Sequence, residues 1–353
     1  MELYDNKLYM DDVEYVANLN LPWSFLQGKN LVLSGATGML GSFLVDVLME
    51  KVLHGFEMDI YCLGRSPEKA LTRFSKYQGN NRLHFIPYDV NLPLIQPELG
   101  KVDYVLHLAS NTHPLQYSTD PIGTITTNII GLKNMLDFAV AHKAIRFAFA
   151  SSNEIYGENR GDQELFDEEY CGYIDPNTLR AGYPESKRCG EALCQAYKAQ
   201  KKLDFVIPRF TRSYGPTMLA TDTKAISQFI KKAIAGENIV LKSGGTQMYS
   251  YTYMADAVSG LLTILLLGES GAAYNIADVH SDISLKNLAG MIADACNKQV
   301  VFEIPDMIEA TGYSKATKAR LDGKKLQSIG WKPRYDIETG ICRTIEILKN
   351  LKS

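Results

Sequence analysis

The stretch "LVLSGATGMLGS", residues 31–42, sets Gly35, Gly38 and Gly41 between an apolar run of strand character and an apolar-faced run of helical character. That junction leaves few folds open. Gly35 permits the tight turn, Gly38 lets a backbone approach phosphates, and Gly41 allows close helix packing, while the helix N-terminus offers N–H groups to an anion. The spacing is GxxGxxG. With a strand before it and a helix after it, the loop favours a dinucleotide pyrophosphate site over a purely structural turn.

The rest of the chain repeats the alternation. "NLVLSG", "MDIYCLG", "VDYVLHLAS", "IRFAFASS" and "LDFVIPRF" have strand character, and "MLGSFLVDVLMEKVL", "TITTNIIGLKNMLDFAVAHK" and "YPESKRCGEALCQAYKAQKK" have helical character. The fold class is α/β, a Rossmann-type doubly wound parallel sheet with helices on both faces. After "YGPT" the order loosens into "KAISQFIKKAIAG", "NIVLKSG", "YSYTYMADAVSGLLTILLLG" and a mixed tail in which Ser284 caps a helix. The expected division is residues 1–28 as an N-terminal extension, with a short helix in "DDVEYVAN". Residues 29–210 plus about 251–278 form the dinucleotide-binding domain, and 211–250 plus about 279–353 form a smaller, interlocked C-terminal α/β lobe that binds substrate.

A formal charge of −3 leaves no basic surplus for a phosphate backbone, so nucleic acid is not an expected partner. Six scattered cysteines without a CxxC pair, and a start without a signal-peptide pattern, imply a reduced, cytoplasmic protein. The apolar run "AVSGLLTILLLGES" is too short to span a bilayer, so no membrane partner is expected. The six histidines show no metal-ligand spacing, and no metal is expected.

At the end of the second strand, "YCLGRSPEK" puts Gly64 where NAD-binding chains carry an acid and Arg65 next to it, favouring the 2′-phosphate of NADP. Asp89 in "PYDV" is available to the adenine end. In "AGYPESKRCGEALC", Tyr183 and Lys187 are four apart at a helix start and share one face. An ammonium beside a phenol favours the phenolate, which makes Tyr183 a usable base, and the Ser151-Ser152 pair ends a strand nearby in the pattern.

With the glycine loop, these features resemble the extended short-chain dehydrogenase/reductase superfamily, in its nucleotide-sugar epimerase and dehydratase branch. The resemblance runs from about Gly28 to the C-terminus through "GATGMLGS", "HLAS", Asn128 in "TTNIIGLKNML", "SSNEIYG", Tyr183 with Lys187, "RFTRSYGPT" and "DGKKLQSIGWKP". It implies Tyr183 as base, Lys187 on the nicotinamide ribose, and Ser152 hydrogen-bonded to the reacting hydroxyl. It also implies that Thr37, Met39, Leu40, Val90, Leu108, Ala109, Ser110, Asn128 and Pro208 line an NAD(P) cofactor, and that two subunits pair as a homodimer through the helices of Tyr183 and Asn128.

In the 4,6-dehydratases the two residues after the catalytic Ser/Thr are Asp-Glu; here they are Asn153-Glu154. An amide has no acidic proton to give, so the usual elimination is disfavoured, and Glu154 remains as base or substrate positioner. The run "YCGYIDPNTLRAGYPESKR" and the motif around Glu154 look like the UDP-glucuronate decarboxylases. Two positions depart from that subgroup: Arg212 stands where those enzymes carry Asn, and Tyr249, in "QMYSY", where they carry Arg. Asn153, Arg180, Arg212, Thr217 and Tyr249 are the expected contacts of a nucleotide-diphospho-sugar. The expected activity is transient oxidation at sugar C4 leading to decarboxylation or epimerisation; the alternatives are an NADP-dependent carbonyl reductase and a non-catalytic NAD(P)-binding sensor or scaffold.

Overall fold

The computed structural model describes residues 2–95, 99–112, 114–303 and 318–352. Residues 304–317 of the expected substrate lobe lie outside them. The apolar runs become strands for the reason their composition suggests: Leu31 to Ser34 and Tyr104 to His107 are buried at every position, as strands covered on both faces must be. The principal sheet runs in the order Ala273–Ile276, Phe205–Phe210, Arg146–Phe149, Tyr104–His107, Lys29–Ser34, Met58–Gly64, Leu83–Pro87. Every neighbouring pair is parallel, with Leu33 level with Cys62 on one side and Leu106 on the other.

The chain lays its first three strands outward in one direction, then crosses to the other side of the first strand. The carboxyl ends of Lys29–Ser34 and Tyr104–His107 therefore flank the point where strand order reverses, and a crevice opens there. The glycine loop leaves one of these ends and "HLAS" the other.

Smaller sheets carry the rest. Met248–Tyr253 pairs antiparallel with Asp282–Ser284 and parallel with Lys318–Ala319 and Arg212–Tyr214; Ile239–Leu241 pairs with Val300–Phe302. The expected boundary at 251 falls inside the strand Met248–Tyr253. The extended pattern runs straight into the helix Met254–Leu267, and the sequence carries no break at the junction.

The helix expected near "DDVEYVAN" spans Lys7–Ala17 and buries Tyr9, Val13, Val16 and Ala17. It is tied down by two carboxylates. Its own Asp12, fully buried, accepts from the hydroxyls of Tyr253 and Tyr335 at 2.6 Å and from Arg343 at 2.7 Å. Asp46, on the helix Met39–Leu53 that follows the glycine loop, accepts from Tyr9, Tyr4 and Arg73. Burial without such partners would cost several kcal/mol per charge, which is why each carboxylate gathers three donors. Ser284 caps the helix Leu285–Asp294, its hydroxyl accepting from the Asn287 N–H. No helix among the described residues is long and apolar enough to cross a membrane.

Candidate active site

The glycine loop closes tightly on itself. A Cβ on Gly41 would lie 2.2 Å from the Gly35 carbonyl oxygen, and one on Gly35, whose φ is +78°, would lie 2.7 Å from the Ala109 nitrogen. Only glycine fits either position. Met39–Leu53 starts here with Gly38 as its cap, the Gly38 N–H donating back to the Gly35 carbonyl at 3.0 Å; Thr37, Gly38, Met39 and Leu40 stay half-buried at the helix N-terminus, where the first-turn N–H groups have no partner within the helix. Leu108 and Ala109 lie against the loop, their N–H groups donating to the Ser34 carbonyl and hydroxyl. This is a cradle of backbone donors without side-chain bulk, which fits a dinucleotide pyrophosphate.

At the adenosine end, Arg65 is exposed directly after Met58–Gly64, and a Cβ on Gly64 would press on the Phe85 ring at 3.3 Å. Asp89 receives the backbone N–H and side-chain amide of Asn91. The neighbouring Val90 offers its carbonyl to Asn134 and fills the space beside Gly131. Pro208 is buried in its strand one residue before Arg209, the register partner of Ser151.

The short strand Ser151–Ser152 extends the sheet beside Arg209–Phe210, and Ser152 then caps the turn Asn153–Tyr156 by accepting from the Glu154 N–H at 3.2 Å. The sharp turn packs the polar run side by side. Asn153 is buried, its carbonyl oxygen 3.4 Å from the Ser152 hydroxyl. Tyr183 stands in the first turn of the helix Gly182–Lys201, its buried phenol beside the Ser152 and Ser110 hydroxyls. Ser110 also donates to Asn128 Oδ1 at 2.7 Å, Asn128 Nδ2 to Ser186 at 2.8 Å, and Ser186 to the Tyr183 carbonyl at 2.8 Å. Asn128 can reach inward because the backbone widens into a π-turn over Thr127–Gly131, a local defect typical of functional positions.

The ionisation states differ from the sequence expectation. Burial first, and Glu154 second, hold the Tyr183 phenol well above its usual range, while Ser152, Arg180 and Ser110 pull the other way. That burial is the reason the expected depression is absent, and burial acts on Lys187 as well. Its Nζ donates to the Ala150 carbonyl at 2.9 Å and lies 5.9 Å from the Tyr183 ring centre. Burial pulls its pKa down to about 7, against Glu191 and Cys194. His107 stacks on Phe149, its Nδ1 2.7 Å from the Ser34 hydroxyl, and burial and then Lys187 pull it down to about 3.

Of the expected substrate contacts, Arg180 meets Glu154, its Nη2 2.7 Å from both carboxylate oxygens. Arg212 and Tyr249 come together on adjacent strands, the guanidinium 3.5 Å from the ring centre, and Arg212 Nη1 is buried without a hydrogen-bond partner among the described residues. Thr217 is turned differently, its hydroxyl donating to the Met39 carbonyl beside the glycine loop.

Three contributors escaped the sequence reading. Glu191 receives Ser151 at 2.6 Å and both Nε and Nη2 of Arg209, fastening the helix Gly182–Lys201 to the strands Ser151–Ser152 and Phe205–Phe210. Its position one turn after Lys187 was the available signal. Ser186 stood inside the quoted motif. Tyr117, stacked on Tyr183 with ring centres 4.8 Å apart, had no signal at all, because only the fold brings its helix Pro114–Thr119 there. No group of three or more His, Cys, Asp or Glu among the described residues could hold a metal ion.

The comparisons agree with this geometry. A family model described as NAD dependent epimerase/dehydratase family matches residues 31–277. UDP-glucuronic acid decarboxylase 5 of Arabidopsis thaliana is 31% identical over 88% of this chain and 86% of its own. UDP-glucuronic acid decarboxylase 1 of Xenopus tropicalis is 30% identical over 91% of this chain and 72% of its own. Among solved structures, a dTDP-glucose 4,6-dehydratase from Streptomyces venezuelae with NAD bound superposes with a TM-score of 0.76 at 22% identity, covering 91% of this chain and 97% of that one. A UDP-glucuronic acid 4-epimerase from Bacillus cereus, in complex with UDP-glucuronic acid and NAD, gives 0.77 at 20% identity, covering 91% and 99%.

Proposed function

The chain belongs to the NAD dependent epimerase/dehydratase family and is an enzyme of nucleotide-sugar modification; from that premise we propose that it oxidises the sugar of a nucleotide-diphospho-sugar transiently at C4. The observation that carries this reading is the convergence of the Ser152 and Ser110 hydroxyls on the Tyr183 phenol, with Lys187 one helical turn on. In this reading Ser152 holds the sugar hydroxyl oxygen, Tyr183 takes its proton, and Lys187 holds the nicotinamide ribose and adds positive charge. Thr37, Gly38, Met39, Leu40, Leu108 and Ala109 would line the cofactor, which when bound supplies a reversible hydride acceptor. Asn128, through Ser110 and Ser186, keeps Tyr183 oriented.

The ketone so formed acidifies the adjacent C–H. With a carboxylate on the next carbon it is a β-keto acid, which releases CO2 as the electron pair of the breaking C–C bond passes to the ketone oxygen as an enolate. Decarboxylation is our first reading, since 31% identity to a UDP-glucuronic acid decarboxylase supports it and the amide of Asn153 cannot serve as the acid of an elimination. Glu154 then acts as base or positioner. Arg212, braced on the Tyr249 ring, is the candidate grip on the diphosphate, because its buried Nη1 lacks an acceptor among the described residues. Exposed Arg65 beside Gly64 favours NADP at the ribose, and NAD is the competitor to compare. The six free cysteines favour a reducing, cytoplasmic setting. A homodimer through the helices of Asn128 and Tyr183 completes the reading.

The test is incubation with UDP-glucuronate and each oxidised cofactor, followed by proton NMR and mass spectrometry. Loss of CO2 is the expected result, and Tyr183→Phe should lower the rate by about 10²–10⁴-fold with cofactor binding kept. A product of unchanged mass would make the enzyme an epimerase. Net consumption of reduced NADP with a carbonyl substrate and no sugar product would favour the reductase reading, and cofactor binding with no turnover of UDP-, dTDP-, CDP- or GDP-sugars would end the proposal.

A further inference from the structure

Four side chains from three stretches of the chain form one column. Glu154 accepts from Arg180 Nη2, the Arg180 guanidinium carbon lies 4.9 Å from the Tyr117 ring centre, and Tyr117 stacks on Tyr183 at 4.8 Å with 24° between the planes. Arg180 sits on the short turn Leu179–Ala181 that leads into the catalytic helix, so its backbone is fixed relative to Tyr183. Its Nε is buried without a hydrogen-bond partner among the described residues. We propose that Tyr117 and Arg180 are positioning residues that, with Glu154 as counterweight, govern how readily Tyr183 gives up its proton; this rests on Tyr183 being the base.

The argument is one of charge. The phenol is faced by the Ser152 and Ser110 hydroxyls, by Glu154, Arg180 and Tyr117, and at greater distance by Lys187, while Asp222 acts on the Tyr117 side. A guanidinium keeps its proton at every pH the fold experiences, whereas burial pulls Lys187 down to about 7. Arg180 is therefore the standing positive charge on the phenol, and Glu154 opposes it. A ligand hydroxyl donating to Glu154 spreads that carboxylate's charge and lets Arg180 act less opposed. Filling the site would then activate the base.

The test needs no substrate. The full chain is labelled uniformly with 3,5-difluorotyrosine, whose more acidic phenol brings the titration into an accessible range, and followed by fluorine NMR with NADP⁺ and, in parallel, NAD⁺ added; the resonance absent in Tyr183→Phe is the reporter. Glu154→Gln should lower its midpoint by about one pH unit and Arg180→Gln should raise it by about as much. Tyr117→Phe should leave the signal as in the parent, while Tyr117→Leu should broaden or displace it. A site merely loosened by mutation would move Glu154→Gln and Arg180→Gln the same way, so shifts of one sign, or none, overturn the charge argument. An unmoved signal in Tyr117→Leu removes Tyr117 from it. Because the readout is the phenol itself, a protein that turns over no sugar would still report, and the two readings fail separately.

Discussion

Lys187 is a buried base held at about 7 by desolvation, against an ordinary value of 10.5, and that single difference has a thermodynamic signature. Between these two pH values the unfolded chain binds a proton that the folded chain does not, so the cofactor-free protein gains stability from this group as pH rises through that window and loses it as pH falls toward neutrality. Lys187→Met removes the proton difference. Urea unfolding of parent and variant at pH 7, 8 and 9 should show the parent gaining on the variant at each step; parallel curves would mean that Lys187 keeps its proton in the fold. The same residue explains a miss in the sequence reading. Spacing four residues apart correctly puts Tyr183 and Lys187 on one helix, but spacing cannot show that the amine would turn to the Ala150 carbonyl or that burial would outweigh it at the phenol.

At the scale of elements, the least legible piece is the N-terminal helix Lys7–Ala17, whose pattern allowed a helix and whose role was unreadable. Asp12 decides that role, joining Tyr253, Tyr335 and Arg343 from elements far along the chain. Asp12→Ala would strip the Arg343 guanidinium of its counter-charge and leave two buried hydroxyls without their acceptor. We expect a loss of about 3–5 kcal/mol in chemical denaturation, and a loss below about 1 kcal/mol would show that the hub relaxes without it. The contrast with the glycine loop is physical. The loop is a local device, strand, turn and helix within a dozen residues, so its sequence carries it; Gly41→Ala should abolish cofactor binding in a fluorescence titration, since the new Cβ meets the Gly35 carbonyl at 2.2 Å. The Asp12 hub, the Tyr117 stack and the Arg212–Tyr249 pair are made by residues that meet only after the sheet has assembled, and no local pattern encodes such meetings.

At the scale of the whole molecule, the helices that hold Asn128 and Tyr183 also form an outer wall. Pro121–Thr126, the π-turn Thr127–Gly131 and the helix Gly182–Lys201 lie side by side, and they turn Ile122, Ile130 and the small residues Cys189, Ala192 and Ala196 to solvent. Ile122 is 75% exposed and Ile130 44%. Large aliphatic groups beside a flat strip of small residues suit the face of another helix pair, and a second copy offers one by two-fold symmetry. Such pairing would brace Asn128 and Tyr183 from behind, coupling assembly to the geometry of the base. Sedimentation equilibrium should give twice the 39.3 kDa chain mass for the parent. Ile122→Asp combined with Ile130→Asp, at positions with little core contact to lose, should give the single-chain mass, with the helical circular dichroism spectrum kept and a lower melting temperature because the dimer no longer adds its association energy. A parent that sediments as one chain at micromolar concentration would end the dimer reading and leave those isoleucines as ordinary surface.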